Sequence, residues 1–364
     1  MLKSAFFQRY LLPGFIFQSI VIAGGYGTGR ELVQYFLKFG PGGGLLAMWL
    51  LSTVIWSAVC AITFELARMT KAFEYRSFGR HLLGPAWVLY EICYLVMMII
   101  VLSVIAAAAG AIVRELFSLP YIVGVGLMML AVGVLVLKGT ALVEKFLSIW
   151  SFVLYGVYIV FLVACFGSFG SDILAGLAPF EVKPGWVRGG IEYAAYNVGT
   201  LPAVLFSLRH LEKRREALVS GLLAGPIAMM PGCLFFIAMA GRYPEVLPVE
   251  VPSLFLLNEV GSNVLLYGFQ IMLFGTLVET GTGLIHAFNE RVAAALEEKK
   301  KAMPVKLRPA VAVGLLLLSS AVAQFGLSGL IDKGYGTITW GFWITFLIPV
   351  LTWGAYRVFR TKAS

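Results

Sequence analysis

Long apolar runs alternate with short polar connections along the whole chain. The runs are continuous, so neither an amphipathic helix nor a half-buried strand accounts for them. Ten such runs lie at about 10–38, 44–67, 86–113, 119–138, 145–167, 187–208, 217–241, 263–290, 308–326 and 336–358. A helix needs about 20 apolar residues to cross the hydrocarbon core of a bilayer, so each run reads as a membrane-spanning helix. A shorter apolar piece, Pro252–Val260, reads as a surface helix, and the charged run 297–308 as a solvated loop. At about 22 residues per span the connections average about 13 residues, too few for a separate soluble domain. The expected architecture is an all-α integral membrane domain over residues 1–364 with ten transmembrane helices.

Composition strengthens this picture. The chain is 60% hydrophobic and 13% charged, with a mean hydropathy of +0.88, outside the range of soluble domains. A soluble enzyme, a nucleic-acid binder and a disordered chain are thereby excluded. The formal charge of +9 follows from topology rather than from an anionic partner. With the N-terminus on one side, alternate connections place 21 Lys and Arg residues on that side and 7 on the other. The positive-inside bias then predicts a multi-pass protein of the inner (cytoplasmic) membrane with both termini in the cytoplasm. The first run follows Lys3 and Arg9 without a small-residue cleavage site, so it reads as a retained helix. Cys60, Cys93, Cys165 and Cys233 lie apart in apolar runs and read as small hydrophobes.

Five runs precede the connection 172–183 and five follow it, so the halves, 10–169 and 186–358, have opposite topology: a 5+5 inverted repeat. The first helix of each half is interrupted near its centre. The first run carries Gly24-Gly25-Tyr26-Gly27-Thr28-Gly29, and the sixth Tyr196-Asn197-Val198-Gly199-Thr200-Leu201-Pro202. Pro202 lacks a backbone donor, and its ring clashes with the preceding turn. Unwound backbone in hydrocarbon persists only where it is buried in protein or lines a polar cavity. Such a break exposes N–H groups on one side, suited to a carboxylate, and carbonyls on the other, suited to a cation. A close-packing glycine face and an ordinary proline kink are the competing readings. Gly24, Gly25, Tyr26, Gly27, Thr28, Gly29, Asn197, Val198, Gly199 and Thr200 are the candidate solute-binding residues. Arg30 replaces the last glycine of a dinucleotide fingerprint and no strand precedes it, which removes that reading.

Ionisable groups inside a membrane are costly and generally functional. Glu279 lies on the eighth run with Thr276, Thr280 and Gly283 on one helical face, and Thr282 close by. Thr276, Glu279, Thr280 and Thr282 are the candidates for coupling to an ion or a proton, and Thr276 with Thr280 for Na+. Arg30 and Glu31 open the half-helix after the first break, where Glu31 suits the helix N-terminus. Arg30, Glu192 and Asp332 are gate candidates; Arg30 either meets an acid such as Asp332 or reaches the interface. Glu91 reads as an interfacial or structural charge, and His286 as interfacial. No HExxH, GxSxG or P-loop motif occurs, so nothing supports a membrane enzyme.

Ten helices in two inverted fives, broken in the first and sixth, resemble the LeuT-like fold of the amino acid–polyamine–organocation superfamily. Ala23-Gly24-Gly25-Tyr26-Gly27-Thr28-Gly29-Arg30-Glu31, Gly40-Pro41-Gly42-Gly43-Gly44 and Lys333-Gly334-Tyr335-Gly336 are similar to the YkvI-type bacterial membrane proteins. The resemblance implies a solute whose polar end meets both breaks. It also implies an ion between first-helix carbonyls and eighth-helix hydroxyls, here Thr276 and Thr280. Glu279 departs from the sodium-dependent pattern and opens proton carriage as an alternative. Lys145 lies at the start of the fifth run rather than mid-helix, so a lysine standing in for the ion is not expected.

The expected function is secondary active transport of a small organic solute, an amino acid or related compound, by alternating access coupled to Na+ or H+. A non-transporting solute-binding sensor or accessory membrane subunit is the alternative. The expected partners are the small-molecule solute and the lipid bilayer, with no nucleic acid and no cofactor other than Na+; an oligomeric state does not follow from these residues.

Overall fold

The computed structural model describes residues 4–22, 24–137, 140–249, 251–304, 306–323 and 329–360, apart from the side chains of 24, 140–144, 147–148, 331–333 and 337. Among the described residues all regular structure is helical. The first apolar run is in pieces. A π-helical turn at Phe7–Leu11 leads into α1 (Leu12–Val21), which ends where Ile22 turns to φ −77°, ψ 74°. A five-residue piece, α2 (Gly24–Thr28), follows. Gly29, at φ +88°, then takes the left-handed conformation open to glycine, and α3 (Arg30–Tyr35) resumes in a new direction.

The remaining helices are α4 (Pro41–Thr70), α5 (Tyr75–Leu83), α6 (Trp87–Phe117), α7 (Tyr121–Leu137) and α8 (Thr140–Leu177, kinked at Phe169). Beyond the mid-chain connection lie α9 (Trp186–Val198), α10 (Arg214–Ala240), α11 (Pro252–Val260), α12 (Asn263–Glu297), α13 (Leu307–Val322) and α14 (Ile338–Arg360). Six helical stretches are long and apolar enough to cross a membrane: α4, α5 with α6, α8 from Ile149, α10, α12 and α14. The shorter apolar helices α7 and α13 fall on the fourth and ninth runs. The sixth run is α9 followed by a turn at Gly199 and Thr200 and two 3-10 pieces, Leu201–Ala203 and Leu205–His210.

Lipid tails are as apolar as leucine, so these helices associate by close packing rather than by a hydrophobic drive. The broadest helix pair, α4 with α10, is made by small residues: a Cβ on Gly221 would overlap the backbone of Ala61. At the centre, Trp56 of α4 meets Phe17 of α1 edge-on (5.4 Å) and Tyr193 of α9 (5.5 Å), all three fully buried. The Gly40-Pro41-Gly42-Gly43-Gly44 corner lets the mid-chain connection dock closely. Gly43 N donates to Glu181 O (2.9 Å), Lys183 N donates to Phe39 O (2.8 Å), and a Cβ on Gly42 would overlap the Phe180 carbonyl.

The polar connections gather at two ends. At one end Arg9 pairs with Glu212 (2.7 Å) and Glu216 (2.9 Å), and Arg76 and Arg80 with Glu298 (2.8 and 3.0 Å). Arg308 and Arg209 both reach Glu290 there (3.2 and 3.4 Å). At the other end Arg242 pairs with Asp172 (2.5 Å) and Glu259 (3.3 Å). These pairs join connections that the Lys and Arg count assigns to a common side.

Candidate solute and ion site

The eighth apolar run, α12, passes beside the first interruption. Glu279 is fully buried, and its Oε1 accepts a hydrogen bond from Ser19 Oγ of α1 at 2.6 Å. Its Oε2 is buried without a partner among the described residues. One residue on, Thr280 Oγ1 lies 2.8 Å from Ser19 O, 3.1 Å from Ile22 O and 3.1 Å from Thr276 O. Ile22 marks the end of α1, which is why its carbonyl is available to a side chain. Ser151 of α8 adds a hydroxyl 3.0 Å from Ser19 Oγ. Thus the end of α1, α8 and α12 bring three carbonyls, three hydroxyls and one carboxylate together. An all-oxygen set with an unsatisfied carboxylate oxygen fits a small hard cation or a proton.

The other coupling candidates fall differently. Thr276 Oγ1 is turned to Met272 O (3.0 Å) and receives Trp150 Nε1 (3.2 Å), so Thr280 is the hydroxyl that meets the α1 carbonyls. Thr282 Oγ1 is buried without a partner among the described residues. His286, expected at an interface, is instead wholly buried with its ring edge-on to Phe206 at 5.2 Å.

The solute candidates lie at the two interruptions, and most serve the turns themselves. Thr28 Oγ1 donates to Gly25 O (3.1 Å), Asn197 Nδ2 to Tyr193 O (2.9 Å) and Thr200 Oγ1 to Asn197 O (2.6 Å). Tyr26 donates from its hydroxyl to Ala228 O of α10 (3.0 Å). Gly27 and Gly29 face Leu273 and Phe235, Gly199 faces Phe342, and Val198 is fully buried. Gly24 lies in α2, its surroundings outside those described.

The side chain that joins the two interruptions is Glu31 of α3, which the sequence reading placed only at a helix terminus. Its carboxylate is 1% exposed and accepts from Tyr196 Oη of α9 at 2.5 Å. It lies over Gly25, where a Cβ would overlap it. The acidic residue directly after a glycine-rich break was the available signal. Its inward aim follows from the left-handed turn at Gly29, which residue spacing does not reveal.

The gate candidates separate from one another. Arg30 Nη1 donates to Leu247 O (2.9 Å) and Val249 O (3.1 Å), tying α3 to the segment between α10 and α11. Glu192 pairs with Arg188 one turn back on α9 (2.7 Å), at the partly exposed outer part of that helix. The side chain of Asp332 lies outside the described residues. Glu91 pairs with Arg291 of α12, a structural ion pair as expected.

The arrangement of helices is that of LeuT-like transporters, as the similarity to solved structures shows. A substrate-bound, outward-open Na+-coupled sialic acid symporter superposes with a TM-score of 0.67 at 14% identity, covering 92% of this chain and 78% of that one. MhsT in complex with L-phenylalanine gives 0.64 at 16% identity, covering 95% and 96%. A manganese transporter of Eremococcus coleocola gives 0.56 at 14% identity, covering 93% and 77%. Within this fold class, the chain is similar to the uncharacterized membrane protein YkvI of Bacillus subtilis (strain 168), 23% identical over 298 residues, or 79% of this chain and 82% of that protein. No protein-family model matches. Among the described residues no three His, Cys, Asp or Glu side chains come together as a metal cluster.

Proposed function

We propose that this protein is a secondary active transporter, not an enzyme, that moves a small organic solute, an amino acid or a close relative, by alternating access coupled to Na+ or H+. The observation that carries the reading is the junction of α12 with the first interruption. There Glu279 and Thr280 engage Ser19 and Ile22, immediately before the break that faces Tyr196 across Glu31. A cation that settles at this junction braces α1 against α12 and so favours one arrangement of the broken helix. Linkage then makes solute and cation strengthen each other's binding. The Na+-coupled sialic acid symporter and the manganese transporter among the structural neighbours support the class, and L-phenylalanine bound to MhsT supports the solute class.

In this reading the whole chain is one ten-span membrane domain, with repeats over 10–169 and 186–358. Gly24 to Gly29 and Asn197 to Thr200 border the solute; Glu279 and Thr280, with Thr276 and Thr282 behind them, serve the cation. Arg30 acts as an outer tether through Leu247 and Val249. The end that holds Arg9, Glu212 and Glu216 faces the cytoplasm, and both termini lie there in the inner membrane.

The test is uptake of radiolabelled amino acids, supplied singly, into proteoliposomes under an imposed Na+ gradient, an imposed pH gradient, or none. Accumulation that requires one gradient supports the transporter and names its ion. Saturable binding with no accumulation under any condition would replace it with a solute-binding sensor or accessory subunit.

A further inference from the structure

Two buried acids, Glu279 and Glu31, have no cationic partner among the described residues, and Glu279 belongs to the oxygen-rich junction with α1. Glu65 pairs with Arg68 (2.7 Å), Glu216 with Arg9 (2.9 Å) and Glu91 with Arg291. Among the described residues Glu31 has no cationic partner, and its one hydrogen bond comes from Tyr196. The adjacent Arg30 does not serve it, because that guanidinium is committed to the Leu247 and Val249 carbonyls. A carboxylate at 1% exposure inside a membrane protein is expensive unless a positive charge or a proton meets it.

The walls around Glu31 are aromatic. Tyr35 lies 5.5 Å from both Tyr193 and Tyr196, Tyr193 and Tyr196 meet edge-on at 5.4 Å, and Tyr335 stacks on Tyr196 at 4.6 Å. The Tyr193 hydroxyl is buried without a partner among the described residues. Electron-rich ring faces attract ammonium groups and repel anions, so this wall favours a cation beside the carboxylate. Gly25 leaves room for the Glu31 carboxyl itself, since a Cβ there would overlap it. Three elements from the two interruptions, α2, α3 and α9, therefore converge on a carboxyl group with aromatic walls and, among the described residues, no counter-ion.

From this geometry we infer that Glu31 is the recognition residue for a primary ammonium group on the solute, with Tyr35, Tyr193, Tyr196 and Tyr335 as its aromatic surround. The inference rests on the transporter reading only in taking the ligand to be the transported solute. It separates this locus from Glu279, where carbonyl, hydroxyl and carboxylate oxygens suit an inorganic cation or a proton. It also assigns the ligand chemistry: α-amino acids and primary amines fit, whereas N-acylated amino acids and plain carboxylates do not.

The experiment compares matched compounds on purified full-length protein by thermal stabilisation and direct binding. The panel contains L-amino acids, their N-acetyl derivatives, the corresponding deaminated acids and the corresponding decarboxylated amines. The expected result is that every stabilising compound carries a free ammonium group, that N-acetylation abolishes its effect, and that Glu31→Gln weakens the best binder at least about 30-fold, as for loss of a buried charge pair. Three results overturn the inference: N-acetyl or deaminated compounds binding as well as the free amine, no free amine binding, or Glu31→Gln leaving affinity within about threefold. In the last case, loss of pH-driven uptake would make Glu31 a proton carrier instead. Should Glu31→Gln not fold, the pairs of free and acetylated compounds on the unaltered protein decide the matter alone. Proteoliposome uptake of the same compounds keeps the two readings apart. Gradient-driven uptake of a compound lacking an amine would sink the ammonium site and keep the transporter, while amine binding without uptake would do the reverse.

Discussion

Glu279 takes a hydrogen bond from Ser19 at 2.6 Å, and this contact ties the middle of α12 to α1 two residues before α1 ends. Ser19 and Glu279 are 260 positions apart in the chain. The pair lies between the two halves, so anything that changes the charge of Glu279 also changes how firmly the halves are joined at the break.

Replacing Glu279 by Gln keeps the shape and the acceptor for Ser19 while removing the negative charge. Coupled uptake should fall at least about tenfold, because the differential cation affinity of the two states is lost. Folding should survive, since an amide is cheaper to bury than a carboxylate. Gradient-driven uptake and thermal unfolding of the same preparation check both halves of the statement. Wild-type accumulation by the variant would remove Glu279 from coupling. For a proton carrier, accumulation should rise as the outer pH is lowered at fixed inner pH. For a sodium site, it should follow outer Na+ at constant pH.

Much of the fold was legible because its cause is local. Length and apolarity alone mark the helices that became α4, α6, α8, α10, α12 and α14, and glycine density and Pro202 mark the two interruptions. What escaped depends on distant contacts. Trp150 of α8 takes up the Thr276 hydroxyl, so spacing on α12 could not tell that Thr280 alone would meet the α1 carbonyls. Glu31 is aimed inward by Gly29, and the Tyr26 hydroxyl is taken up by the Ala228 carbonyl of α10. Helical periodicity has no access to either, because both follow from the irregular backbone of the break.

Gly25→Ala tests the break with one methyl group. The added Cβ would overlap the Glu31 carboxyl and push it off Tyr196, while leaving the α-helical conformation of α2 acceptable. Solute affinity should drop at least about tenfold with little change in melting temperature. Gly27→Val should also abolish binding, by a different route: its side chain would overlap Leu273 and push α2 away from α12. Unchanged affinity in both variants would place the solute elsewhere.

At the end that holds the N-terminal turn, Arg9 bridges Glu212 and Glu216 at the start of α10. Movement of the first piece of the broken helix away from α10 has to separate these charges. Glu216→Gln should therefore raise backbone hydrogen exchange across 7–21 about threefold or more, without a matching rise in α12. Equal protection in variant and wild type would show that this ion pair does not hold the end closed.

The last expectation concerns packing rather than chemistry, and it separates two kinds of glycine in the same bundle. Gly221 of α10 lies where a Cβ would overlap the Ala61 backbone of α4, so backbone rather than a yielding side chain stands in the way. Gly156 of α8 has nothing within 4 Å of its Cβ position. Without a hydrophobic drive between helices in lipid, the α4–α10 pair is held by the contact area that such close approach permits. Gly221→Leu forces the two backbones apart and should destabilise the protein by about 1–3 kcal/mol, the usual range for overpacking. Gly156→Leu should change stability by less than about 0.5 kcal/mol, as at an open site. Thermal unfolding of both variants in one detergent compares them directly. A large loss at Gly156 with none at Gly221 would mean that α4 and α10 are not packed as described, and the placement of the α1 pieces against them would fall with it.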